Sequence, residues 1–505
     1  MSSLPDWLGP LYEADEMRAV DAWAIDEMAT PSLDLMERAG AGLARVAAAA
    51  AADGPVCVVV GRGNNGGDGL VAARHLREDG HVVTVLAAGP LDDLRGDAAE
   101  NLERLPGAPP EPFAVERLAG AGVVVDALLG TGFEGAPRAP VATAIAAINA
   151  QPAPVVACDV PSGVDASTGA VEGEAVVAAV TATFHGSKLG LHVEPGKSHA
   201  GAVEVVAIGV PRGAPPPRRA GLISERVLDL YPRRPRSGSK FDSGVVVVAG
   251  GSAGLTGAPT LAARSAQRAG AGYVQVAVPA AVQQVVELRL LEQMTRGLAD
   301  AAGAHTPDGV GELVEMAARA GAVVLGPGLG RSAGAVEFAR MAARELPAPL
   351  LVDADGLNAH AGRLELFRER SGPTVLTPHA AELARLLELE PEDVERQRLD
   401  SARRAAELSG AVVLLKGDDT IVARPGGPVA VSPGGSAALA TAGTGDVLSG
   451  LVGALLAKGL GPFEAAALGA LAHGLAGRAA AELLGADHVM AGDVIDALPH
   501  GLTLR

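Results

Sequence analysis

Short, unbroken apolar runs recur along the chain, each followed by a stretch in which apolar residues return every three or four positions. In the first half the runs fall near 56–60, 82–86, 123–126, 155–158 and 203–208. In the second they fall near 245–249, 274–278, 322–325, 349–352, 374–376, 412–415 and 420–423. Helical spacing covers 70–76, 258–269, 311–320, 380–389, 400–408 and 447–456, and Ser224 is placed to cap a short helix beginning at Glu225. Continuous Val/Leu strands alternating with helices predict α/β architecture, with parallel sheets covered on both faces. Ligands of such sheets bind outside the carboxyl ends of the strands, so the polar residues that end each run become the candidate chemistry. No fixed-period repeat is present.

The pattern divides at VPRGAPPPRRAG, where Pro215, Pro216 and Pro217 exclude a helix or a central strand. A second loop-like stretch covers 234–240. With 505 residues to distribute, the expected organisation is a domain over 1–212, a Pro-rich linker over 213–221 and a domain over 222–505. Aromatics make up only 2% of the chain, so the cores must be built from Ala, Val and Leu. The net charge of −18 without basic blocks argues against a nucleic-acid partner. An anionic ligand would need local amides, helix N-termini or a metal ion. Cys57 and Cys158 lie in apolar runs and read as buried, reduced thiols. The N-terminal stretch lacks a basic segment and an apolar core, and no apolar run reaches the ~18 residues of a membrane span. The expectation is a soluble, cytoplasmic protein with no membrane partner.

Three strand ends in the first half carry unusual residues: GRGNNGGDG (61–69), DALLGTG (126–132) and DVPSGVD (159–165). Glycines let backbone amides approach a phosphate. Asn65, Asp126 and Ser162 offer oxygen ligands for a hard cation, which leaves Asp159 free to act as a general base. These motifs, with HGSKLGL (185–191) and the opening YEADEMRAVDAWAID, resemble the NAD(P)H-hydrate epimerase family over about the whole first half. The resemblance implies a Rossmann-like domain that binds hydrated NADH or NADPH and a potassium ion (K+). It implies substrate contacts from Asn64, Asn65, Gly66, Gly67 and Asp68. Further contacts are implied for Gly130, Thr131, Gly132, Phe133, Glu134, Gly135 and Ala136. K+ would be held by Asn65, Asp126 and Ser162. Asp159 would touch the substrate and serve as acid/base residue, with Lys188 near the site.

In the second half, TAGTGDVLSG (441–450) leads small residues into a helix. The amides of Gly443, Thr444 and Gly445 would form an anion hole at the helix N-terminus, with the Asp446 carboxylate in the first turn. A carboxylate beside an anion hole suits deprotonation of a hydroxyl that attacks a phosphoryl group. Further strand-end motifs are Gly250–Ser252 with Thr256–Ala258, Gly326–Gly330, Asp353–Asn358, Thr377–His379 with Glu382, and Lys416–Thr420. The last could hold a nucleotide phosphate or ribose, and Mg2+ would be needed to bridge the phosphates.

Over about 222–505 this order of motifs resembles the ribokinase-like fold, and within it the ADP-dependent NAD(P)H-hydrate dehydratases. The resemblance implies that Ala258, Gly328, His379 and Asp446 contact the hydrated nicotinamide. Lys416, Gly417, Asp418, Asp419, Thr420 and Gly445 would bind ADP, the co-substrate, and the dehydratases of this fold often assemble into homo-oligomers. Ser436, Ala442 and Ala381 depart from the family pattern. The implied reaction has Asp446 take the proton of the ring hydroxyl, whose oxygen attacks the terminal phosphoryl of ADP. Phosphate then leaves, giving NAD(P)H, AMP and phosphate. The first half would interconvert the R and S epimers so that both can be dehydrated. Two alternatives stand beside this reading: a ribokinase-like kinase of a vitamin precursor, and a first half that binds nucleotide without catalysis.

Overall fold

The computed structural model describes residues 4–51, 54–234 and 236–503, so Met1–Ser3 of the N-terminal stretch and Pro235 of the 234–240 loop lie outside it. The chain forms two compact units, one built on Pro10–Gly221 and the other on Pro5–Gly9 with Leu222–Arg505.

The first unit holds a seven-stranded parallel sheet. Its spatial order is Glu111–Pro112, Val83–Ala87, Val56–Val60, Val123–Ala127, Val155–Cys158, Val180–Phe184 and Ala202–Val206. Alternate residues of the central strands serve two cores. Val58, Val60 and Val125 pack with Leu43, Ala47 and Leu70 on one face; Val59 and Val124 pack with Ile145 and Ile148 on the other. The helices Ser32–Ala51 and Asn64–Glu78 cover the first face. They meet at Gly40, where a Cβ would stand 2.3 Å from Val71 Cβ. The chain order reverses between Val56–Val60 and Val123–Ala127, which puts GRGNNGGDG and DALLGTG at the switch point where α/β sheets bind ligands. Cys57 and Cys158 are buried free thiols.

The second unit carries an eleven-stranded sheet. Seven strands run parallel, in the order Met294–Leu298, Tyr273–Pro279, Val245–Ala249, Ala322–Leu325, Leu350–Val352, Thr374–Leu376 and Val412–Leu415. Ile421–Ala423 and Val429–Val431 then add antiparallel, so this sheet is not parallel throughout as the sequence pattern suggests. Ala220–Ile223 and Leu8–Leu11 complete the edge. The helices Gly257–Arg268, Thr444–Ala457 and Pro462–Leu484 are its long buried cover.

Several strands escape the apolar-run pattern, among them Leu8–Leu11, Glu111–Pro112 and Ala220–Ile223 as well as three of the longer or more central ones. Val180–Phe184 is broken by Thr181 and Thr183, both fully buried. Their hydroxyls are satisfied by the Ala200 carbonyl (2.6 Å) and the Asp159 carboxylate (3.2 Å). Met294–Leu298 is a half-exposed edge strand, and Val429–Val431 is a three-residue run enclosed by the turn residues Gly426–Pro428 and Pro433–Gly434. The helix expected to begin at Leu70 begins at Asn64, so NNGGDG is the opening of the helix rather than a loop before it. Its glycines are there for close packing: a Cβ on Gly66 would lie 2.2 Å from the Gly61 carbonyl, and one on Gly69 2.7 Å from Ala127 Cβ. Ser224 does not cap the 3-10 helix Glu225–Leu230; its hydroxyl donates instead to the Trp7 carbonyl at 2.8 Å.

Candidate functional sites

In the first unit a cleft of about 1230 Å³ opens at the sheet's switch point. Asn64, Asn65, Asp68, Asp159, Lys188 and the whole run Gly130–Ala136 line it. Gly66 and Gly67 lie behind the wall, buried, with Gly67 facing Met36. Asp159 follows the strand Val155–Cys158 with φ of +64°, a conformation that costs of order 1–2 kcal/mol for a residue with a Cβ. The strained turn presents its carboxylate to four donors. Oδ1 accepts from Lys188 Nζ, the Phe184 amide (3.0 Å) and Thr183 Oγ1 (3.2 Å), and Oδ2 accepts from Thr131 Oγ1. Lys188 is fully buried, and its ammonium also donates to Thr183 Oγ1 (3.0 Å) and the Phe184 carbonyl (2.9 Å). Burial works to raise the Asp159 pKa, but the Lys188 charge and these hydrogen bonds outweigh it and hold the carboxyl below its usual range. The sequence alone left Lys188 merely near the site; the fold makes it the counter-ion at the centre.

Behind the cleft wall, Asp126 is fully buried and accepts from Ser162 Oγ (2.6 Å), the Ser162 amide (2.8 Å) and the Leu128 amide (3.2 Å). Asn65 Nδ2 reaches the Leu129 carbonyl at 2.8 Å. Asn65, Asp126 and Ser162 are therefore joined through one short segment, 126–129. Burial pushes the Asp126 carboxyl up to about 6, with the Ser162 and Leu128 hydrogen bonds opposing it. Among the described residues no side-chain cation bonds to this buried carboxylate, and the hydroxyl, amide and carbonyl oxygens around it are the donor types that a hard cation takes.

In the second unit the helix Thr444–Ala457 starts at Gly443, whose φ of +92° demands glycine. Not all three expected hole amides are free. The Thr444 amide bonds to the Thr441 carbonyl at 3.3 Å, and the Thr444 hydroxyl bonds to Leu439 and Thr441 carbonyls. The Gly443 and Gly445 amides have no backbone partner among the described residues outside the helix's own ladder. Asp446, in the first turn, faces a second carboxylate–lysine pair. Lys416 Nζ lies 2.8 Å from Asp353 Oδ1 and 3.8 Å from Glu382 Oε2, and Ser449 Oγ donates to Asp353 Oδ2 at 2.6 Å. Burial, then the Asp353 charge, raise the Asp446 carboxyl to about 7, against the pull of Lys416. A Cβ on Gly445 would lie 3.6 Å from Lys416 Nζ, so this ammonium stands over the glycine turn.

The remaining expected residues separate into two groups. Gly328, at φ +66°, lies against Ala258: a Cβ there would be 3.2 Å from Ala258 Cβ. His379 caps the helix Ala380–Leu387 in a reciprocal box with Glu382, half exposed; burial lowers its pKa, with the Glu382 carboxylate opposing and the Lys416 charge assisting. The segment Lys416–Thr420 splits. Lys416 turns into the carboxylate cluster, and Gly417 and Asp418 are exposed. Asp419 is fully buried in an ion pair with Arg398 at 2.7 Å, so its side chain is structural rather than open to a nucleotide. Asp353, Glu382 and Ser449 were given no role from the sequence. The first ends a buried strand in a carboxylate, which is the available signal; Ser449 is spaced one helical turn from Asp446.

Fold and sites together define a fusion of two α/β enzyme units, each with an acid–lysine pair at the carboxyl ends of its parallel strands. A sequence profile described as NAD(P)H-hydrate dehydratase matches residues 246–500, and one described as YjeF-related protein N-terminus matches residues 32–190. The bifunctional NAD(P)H-hydrate repair enzyme Nnr of Moorella thermoacetica is 41% identical over 97% of this chain and 96% of its own length. Its counterpart from Salinibacter ruber is 41% identical over 83% and 82%. The ADP/ATP-dependent NAD(P)H-hydrate dehydratase of Bacillus subtilis, co-crystallised with ATP and Mg2+, covers 55% of this chain and 95% of its own, with 27% identity and a TM-score of 0.48. The chain belongs to the bifunctional NAD(P)H-hydrate repair enzymes. Relatives of the same name extend over both halves, which sets aside a vitamin-precursor kinase joined to a passive nucleotide-binding module. No helix among the described residues is long and apolar enough to cross a membrane.

Proposed function

We propose that residues 1–212 interconvert the R and S epimers of hydrated NADH and NADPH, and that residues 222–505 dehydrate the S epimer with ADP. The Asp446–Lys416–Asp353 cluster at the Gly443 helix start carries this reading. Asp446, poised near neutrality, takes the proton from the ring hydroxyl. The freed oxygen attacks the terminal phosphoryl of ADP, and the Gly443 and Gly445 amides with Lys416 meet the charge that develops there. Asp353 and Ser449 fix Lys416 in place. The phosphorylated oxygen then leaves as phosphate, pushed out by the ring nitrogen, and loss of a proton from C5 to solvent restores the ring double bond of NAD(P)H. Asp353 and Glu382 are the carboxylates that would help to hold Mg2+, which would supply charge neutralisation on the phosphates of ADP. In the epimerase half, Asn65, Asp126 and Ser162 would hold K+, whose positive charge would steady the Asp126 carboxylate beside the substrate loop. We place the enzyme in the cytoplasm, as a homo-oligomer, where its substrates form. The test is Asp446→Asn assayed on the S epimer with ADP and Mg2+. A fall in kcat of about 10²–10⁴ with little change in KM is expected. Full activity would remove Asp446 as the base.

A further inference from the structure

Interconverting two epimers at a carbon that bears a hydroxyl and a ring nitrogen needs a proton given on one side and a proton taken on the other. Asp159 is poorly suited to do both. Its strained turn, its buried ammonium and three further donors fix it as a carboxylate. Two more carboxyl groups share the cleft: Asp68 on the helix Asn64–Glu78 and Asp21 on the helix Ala14–Ala22. Neither has a hydrogen-bond or ion-pair partner among the described residues. Each lies close enough to Asp159 and Lys188 for those charges to act on it. Lys188 is already paired with Asp159, and among the described residues no hydrogen bond or ion pair ties a cation to Asp21 or Asp68, so a carboxyl group placed there holds its proton more readily than one in water.

We propose that Asp21 is a second catalytic residue of the epimerase, exchanging protons with the substrate in the cleft that it shares with the fixed Asp159 carboxylate. This rests on the reading of the cleft as the epimerase site. Asp21, as the acid, protonates the departing C6 hydroxyl. The C6–O bond breaks as the ring-nitrogen lone pair forms the C6=N1 bond, and water is released. A water molecule then adds to the other face of C6, returning the electron pair to nitrogen, and its proton passes to Asp159. Solvent exchange resets the two carboxyl groups. No oxidant or reductant is involved, and the oxygen lost equals the oxygen gained. The Asp68 carboxyl is raised well above its usual range by burial and by the Asp159 and Asp21 charges, with Lys188 opposing, and it lines the same cleft. Asp21 itself is brought to about 6 by burial, with Lys188 opposing and Asp159 reinforcing. Asp159 and Lys188 act on it from other elements, Asp68, Arg62 and Arg138 line the same cleft, and Arg18 precedes it on its own helix.

The experiment uses the full-length chain and hydrated NADPH without ADP, so that dehydration is silent and chromatographic separation of the epimers reads epimerisation alone. Asp21→Asn should lower kcat by roughly 100-fold or more with KM changed by less than about twofold. The wild-type decline in rate above about pH 6 should disappear in this variant. Asp21→Glu should restore the rate to within about tenfold. In ¹⁸O-labelled water the wild-type enzyme should introduce label into the substrate at each inversion. ADP-dependent dehydration of the S epimer, carried by the other half, measures in each variant whether the chain is intact. Epimerisation by Asp21→Asn within about threefold of wild type, or an unchanged alkaline limb, or inversion without ¹⁸O uptake would overturn the proposal. A wild-type chain that does not epimerise at all would instead overturn the reading of the cleft.

Discussion

Both units place a lysine against an aspartate just beyond a buried parallel strand, and both spend backbone strain there. Asp159 has φ of +64°, and Ala354, directly after Asp353, has φ of +51°. The settings differ. The Lys188 side chain is 1% exposed and wholly consumed by its own unit, whereas that of Lys416 is 20% exposed and stands over the Gly445 turn. In the first unit the ion pair is a sealed anchor beside the Asp21 and Asp68 carboxyl groups, which burial raises while the Lys188 charge opposes it. In the second the lysine remains open on one side, where a phosphoryl group has to be met. The same pair thus sets charge in one half and receives it in the other.

The sharpest test of that contrast is removal of the lysines. Lys188→Met leaves a buried carboxylate unpaired and should cost the first unit roughly 3–5 kcal/mol. Lys416→Met should cost distinctly less stability while still abolishing ADP-dependent turnover. Urea denaturation followed by probes in each half separates the two, and equal costs would break the comparison. Next in size, Gly40→Ala drives a methyl into Val71 and should destabilise the first unit by about 1–3 kcal/mol while sparing the second. The smallest effect is one of pH. Asp446 must be ionised to act as a base, and its carboxyl sits at about 7, so kcat/KM for dehydration should rise up to about pH 7 and then level. Epimerisation, which needs Asp21 protonated, should fall above about pH 6. Parallel profiles would mean that the two anchored pairs do not set their neighbours as described.

Much of this was legible in the residues. The central strands announced themselves as Val-rich runs because parallel strands are buried on both faces. NNGGDG, DVPSGVD and AGTGD stood out because small and acidic residues are rare at strand ends unless the backbone or a ligand requires them. What stayed hidden depended on contacts between distant segments. Val180–Phe184 escaped notice because buried threonines interrupt its apolar pattern, yet one of them helps to fix Asp159. Lys188 lies 29 positions from Asp159, and only the fold shows them paired. Asp419 read as part of a nucleotide loop; its burial against Arg398 is a tertiary fact that no spacing encodes. Asp21 sat inside an amphipathic helix whose pattern gave no hint that one polar position faces a cleft.

The central claim is that one chain repairs both epimers, with two separate anchored sites. It is tested most directly by supplying an equal mixture of R and S hydrated NADPH with ADP and Mg2+ and following the return of reduced-nicotinamide absorbance. The account predicts complete recovery, faster than the epimers exchange spontaneously, with Asp159→Asn stopping at the S share and Asp446→Asn giving none. Recovery by the wild-type chain that halts at the S share would contradict it.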